Sequence, residues 1–90
     1  MVISLYATTG YETGEIEIQW DSVKGARCYI IQMSTGRSKN PSWRHIDIVD
    51  SPKYTVMGLR PGRIYSFRIA VVTNNEGQGS WSEPIIKKAK

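Results

Sequence analysis

Apolar residues recur at every second position along most of the chain, and no stretch holds a helical period. Glu15-Ile-Glu-Ile-Gln-Trp20 alternates without a fault. Ile16, Ile18 and Trp20 face one way and Glu15, Glu17 and Gln19 the other, the pattern of an antiparallel strand with one buried face. Ile3 to Ala7 alternates with Leu5 and Ala7 together. Arg27 to Met33 sets Tyr29, Ile31 and Met33 on one face and Cys28, Ile30 and Gln32 on the other. Trp43–Val49, Tyr54–Val56, Arg63–Thr73 and Trp81–Lys88 complete a predicted set of seven short strands.

The intervening segments carry turn chemistry: Thr8–Gly14, Asp21–Ala26, Ser34–Ser42, Asp50–Pro52, Gly58–Gly62 and the Gly- and Asn-rich Asn74–Ser80. Pro84 cannot donate a ladder hydrogen bond, so it belongs at the start of the last strand or at an edge. Short strands at this spacing predict an all-β sandwich of two sheets with Greek-key connections, one domain over residues 1–90.

Composition adds bounds. A chain of 90 residues has enough length for one core. No apolar run approaches the roughly 20 residues of a membrane helix, so membrane insertion is not expected. Cys28 is the single cysteine, which excludes an internal disulfide and a cysteine-based metal site. The net charge is +4, and after residue 50 there are seven bases against Glu76 and Glu83. Apart from Lys87-Lys88-Ala89-Lys90 the bases come singly, unlike the dense stripe of a nucleic-acid binder. They predict a solvated surface with a frayed basic tail.

Particular residues sharpen the fold. Trp20 ends the second strand, Gly25-Ala26 leads to Tyr29, and Leu59-Arg-Pro-Gly-Arg-Ile-Tyr65 precedes the alternating Phe67, Ile69 and Val71. Gly77-Gln-Gly-Ser-Trp-Ser-Glu-Pro84 leads into the last strand. On these residues the chain resembles a fibronectin type III domain over essentially all its length, with wording most similar to bacterial members. The resemblance implies a seven-stranded immunoglobulin-like Greek-key sandwich. It implies that Tyr65 forms a tyrosine corner, its ring in the core and its hydroxyl bonded to backbone just upstream. Pro61 and Gly62 would set the crossing angle of the chain, with Leu59 capping the core beneath. The proline usual before the first strand is missing. The Asn74–Gly79 loop holds no Arg-Gly-Asp, so integrin binding is not carried over.

Candidate chemistry is sparse. His45 and Asp47 would share a strand face, and Cys28 with His45 could form a dyad across neighbouring strands, but nothing supplies an oxyanion hole. Asp21, Asp47 and Asp50 are too scattered to hold calcium. No catalytic, metal or cofactor residue is therefore assigned. The outer sheet face of Cys28, Ile30, Gln32, Ser66, Arg68 and Ala70 is apolar for a solvated surface and is a candidate contact face. Trp81 is expected to stack on Arg68 or Arg63, and Trp43 to pack at an edge. Asn74 and Asn75 lie in a loop suited to binding.

The resemblance implies a non-catalytic interaction or spacing module, excised from a larger multidomain protein. Its partner would be another protein or a neighbouring domain, and the domain itself a monomer or weak homodimer. Two alternatives stand beside it. One is a carbohydrate-binding accessory domain of a glycan-active enzyme, which needs coplanar exposed rings at Trp43 and Trp81. The other is a small self-associating structural protein using the Cys28–Ile30 face. The resemblance leans towards an extracellular or cell-surface setting and leaves the cytoplasm open.

Overall fold

The computed structural model describes residues 4–9, 12–35, 42–74 and 77–90. Eight strands are formed: β1 (Leu5–Thr9), β2 (Ile16–Trp20), β3 (Ala26–Thr35), β4 (Arg44–Val49), β5 (Lys53–Val56), β6 (Ile64–Thr73), β7 (Gly77–Trp81) and β8 (Ile85–Lys88). One sheet has the order β1-β2-β5 and the other β4-β3-β6-β7, with β8 also on β6. Every pairing is antiparallel.

The alternation seen in the sequence becomes the core between the sheets. Ile16, Ile18 and Trp20 of β2 meet Tyr29 and Ile31 of β3 and Phe67, Ile69 and Val71 of β6. Phe67, Ile16, Ile18, Ile31 and Ile69 are wholly buried, and burial stabilises by about 1.5–3 kcal/mol for each side chain of this kind. Trp20 meets Tyr29 edge to face, with ring centroids 5.2 Å apart.

The predicted last strand is two. β7 pairs with the end of β6, from Ala70 to Thr73, and β8 with its beginning, from Ile64 to Phe67. Between them the chain breaks at Ser82, whose N–H donates to the Ile69 carbonyl at 2.7 Å and whose Oγ accepts from the Ile69 N–H at 3.0 Å. The serine side chain thus supplies the bond a strand backbone would have made, and Pro84 follows just ahead of β8. Gly77 to Ser80, expected in a loop, belong to β7.

The C-terminal segment is not frayed. β8 pairs with β6, and Ala89 is buried. Its N–H donates to the Arg63 carbonyl at 2.8 Å, while its own carbonyl accepts from Gly62 at 3.0 Å. The Lys90 carbonyl accepts from Gly14 at 3.0 Å. Gly14 also accepts from the Leu59 N–H at 3.0 Å. Its φ is +83°, and a Cβ there would meet the Leu59 carbonyl oxygen at 2.5 Å, so only glycine permits this approach.

Two tyrosines tie turns to the core. Tyr65 accepts from the Arg60 N–H at 2.9 Å, as the resemblance implied. Tyr29 does the same for Val23, also at 2.9 Å. Across the open edge, Tyr54 of β5 hydrogen-bonds Asp47 of β4 and so links the two sheets. Burial chiefly, then Asp47, raises the Tyr54 pKa above its ordinary value.

Candidate interaction surface

β6 carries Arg68 on the outer face of its sheet, and the strand order brings three partners to it. Gln32 stands directly opposite on β3. Its Oε1 accepts from Arg68 Nε at 2.9 Å and from Nη2 at 2.7 Å. Trp43, just before β4, and Trp81, at the end of β7, approach from the two sides of β6. The guanidinium carbon lies 4.4 Å from the Trp43 ring centroid and 4.3 Å from that of Trp81. Both contacts are within cation–π range. Burial lowers the Arg68 pKa from its ordinary value, and the group stays protonated because guanidinium is so strongly basic.

This cluster explains the neighbouring burial. Trp81 pairs with Ala70, which is wholly covered, and Ser66 is also buried. The outer face is therefore narrower than the sequence pattern suggested, because two indoles cover its middle. Each indole turns a face to Arg68, so both rings are engaged in this cluster. The stack on Trp81 was expected; that Trp43 joins it depends on β4 lying two strands away from β6.

Beside the cluster, Cys28, Ile30 and Gln32 are half-buried. Ile30 pairs with Ile48, which is 54% exposed, and these form the apolar part of the face. The register between β3 and β4 shifts between Ile31 and Gln32. Asp47 pairs with Ile31 and His45 with Gln32, leaving Ile46 as the extra residue. The bulge sends His45 and Asp47 to opposite faces, against the shared face that simple alternation predicted. Cys28 pairs with Val72 and lies four positions along β3 from the Gln32–His45 pair, about 13 Å at strand rise, so no dyad forms.

The connections Asp21–Ala26, Asp50–Lys53 and the end of β6 share one pole of the sandwich, as Ala26 pairs with Thr73. Asn74 is exposed there; Asn75 lies outside the described residues. The opposite pole holds a feature that sequence reading missed. A groove of about 440 Å³ opens between the end of β3, the start of β4 and the β5–β6 turn. Arg44, Arg60 and Arg63 line it and are exposed, with buried Met33 and Tyr65 and half-buried Leu59 behind them. Among the described residues, no acid lines it.

Arg60 and Arg63 are the ends of one β-turn. The Arg63 N–H donates to the Arg60 carbonyl at 3.2 Å, Pro61 fixes the second position and Gly62 takes the third with φ +82°. That is a type II turn, whose end Cα atoms lie within about 7 Å. Arg44 is far in sequence from Arg60 and Arg63, and only the pairing of β3 with both β4 and β6 brings it to them. The signal available in the sequence was an absence of acids: residues 33–44 and 51–75 contain no Asp or Glu.

Comparison with known proteins fits this architecture. The model of the fibronectin type III domain matches residues 4–88. Receptor-type tyrosine-protein phosphatase F of Danio rerio is 33% identical over 72 residues, which is 78% of this chain and 4% of that protein. The FN5 domain of Drosophila Lar superposes with a TM-score of 0.65 at 27% identity, covering 94% of this chain and 89% of that one. An Fn3-like protein from Clostridium thermocellum superposes with a TM-score of 0.79 at 24% identity, covering 92% and 84%. A fish, an insect and a bacterium thus share the architecture, and these relatives single out no bacterial source.

Proposed function

The chain belongs to the fibronectin type III family, and we propose that it serves as a non-catalytic interaction or spacing module within a larger protein. The observation that carries the reading is one of proportion. The stretch shared with the Danio rerio phosphatase is most of this chain and 4% of that protein, which is how a repeated or accessory module matches a long host. The structure supports it further. Four of its polar side chains hold the sandwich together: Tyr65 and Tyr29 on turns, Ser82 on the β6 backbone and Gln32 on Arg68. Its partner is a protein or a neighbouring domain.

Sedimentation equilibrium under reducing conditions, over a wide concentration range, tests this reading against self-association. The expected result is a monomer throughout. A reversible dimer lost on Ile30→Lys would replace it with a homodimer built on the outer sheet face.

A further inference from the structure

We infer that the Arg44–Arg60–Arg63 groove docks an acidic peptide segment of a partner protein, one that also carries an apolar side chain. This rests on the interaction-module reading and gives it a site and a partner chemistry.

Three observations converge on it. The first is unbalanced charge. Arg60 and Arg63 are held at the two ends of one type II turn, and Arg44 faces them from another strand. Among the described residues, none of the three makes an ion pair to an acid and no carboxylate lines the groove. Like charges gathered without counter-charge repel, and an anion entering from outside relieves that repulsion.

The second is rigidity. The Arg60 N–H is bonded to Tyr65, the Gly62 N–H to the Ala89 carbonyl, and the Arg63 carbonyl to the Ala89 N–H. The backbone that carries two of the cations is therefore fixed before any ligand arrives, which reduces the ordering cost of binding. Guanidinium forks suit carboxylates, which they can grip with paired N–H donors.

The third is the floor. Behind the cations lie Met33, Leu59 and the ring of Tyr65, in a volume of about 440 Å³ that fits a small ligand group or a side chain. The apolar surface that these residues show in the groove is small, enough for one apolar side chain to gain by covering it. A sulfated glycan presents none, whereas a peptide mixing acidic and aliphatic residues presents both.

The test is fluorescence anisotropy with a fluorescein-labelled peptide of Glu-Glu-Leu repeats, at low salt, on the intact 90-residue chain. Saturable binding is expected, weakening as salt rises. Joint replacement Arg60→Gln and Arg63→Gln should weaken it at least about tenfold, with the melting temperature kept, because the turn is held by backbone bonds. Arg44→Glu, on a different element, should weaken it too, which covers the case of a double variant that fails to fold. Replacing Leu by Ser in the peptide should weaken binding, and replacing Glu by Gln should abolish it. Equal binding by the Ser peptide, or tighter binding by a heparin oligosaccharide, would overturn the peptide assignment in favour of a general polyanion site. No binding, or binding indifferent to all three arginines, would overturn the groove itself. Either failure leaves the module reading to the sedimentation result, which does not depend on the groove.

Discussion

Gly14→Ala isolates the contact between the β1–β2 connection and the β5–β6 turn. Two costs arise. The φ of +83° is one that a residue with a Cβ adopts at roughly 1–2 kcal/mol. The added methyl would also stand 2.5 Å from the Leu59 carbonyl oxygen, a backbone atom that cannot swing aside. Separating the two segments lengthens the bonds from Leu59 N–H to Gly14 and from Gly14 N–H to Lys90, both 3.0 Å. Each is worth about 0.5–1.5 kcal/mol, so the substitution should cost about 2–5 kcal/mol in all. Gly62→Ala is the control. Its φ is +82° but nothing lies within 4 Å of its added Cβ, so it should carry the strain alone. Urea and thermal unfolding of both variants give the comparison. At about 4–8 °C per kcal/mol, Gly14→Ala should melt at least roughly 4 °C below Gly62→Ala. If the two variants lose the same stability, the close approach at Leu59 has no energetic weight and the reasoning is wrong.

Tyr65→Phe should destabilise by about 1–3 kcal/mol, since the Arg60 N–H loses its acceptor, and Tyr29→Phe should do likewise through Val23; unchanged urea midpoints would refute both corner assignments. Arg68→Lys keeps the charge but loses the fork on Gln32 and the flat stack between the indoles, so it should cost about 1–3 kcal/mol and shift the tryptophan fluorescence; an unchanged spectrum would count against the stack. Tyr54 is held protonated in the folded state, so its contribution is complete below pH 10.0 and is lost as pH rises above that value through the raised folded pKa. Ultraviolet titration of phenolate should place Tyr54 above the ordinary value. Asp47→Asn should bring it part of the way back, with burial holding the remainder.

The strands were legible because burial writes a period of two into the sequence, and at Ile16–Trp20 and Phe67–Val71 nothing disturbs it. The Tyr65 corner was legible because donor and acceptor lie five residues apart, within one turn. The Tyr29–Val23 bond has the same local character and could have been found by the same reasoning. What escaped depends on partners distant in sequence. The break between β7 and β8 is set by Ser82 reaching Ile69 on another strand. The bulge at Ile46 reverses the face of everything beyond it, and no residue there announces it. The anchoring of Ala89 and Lys90 depends on backbone bonds with Gly62, Arg63 and Gly14. The groove is legible only once the strands are paired, since two of its cations come from the β5–β6 connection and the third from the start of β4.

The backbone bonds of Ala89 and Lys90 give the domain a mechanical character. The chain leaves β8 and is stitched through Ala89 to Gly62 and Arg63 and through Lys90 to Gly14, which is tied in turn to Leu59. A pull on Lys90 therefore meets bonds that reach both sheets before it can peel β8 from β6. Such a clamp passes tension from the C-terminal end into the turn that bears Arg60 and Arg63.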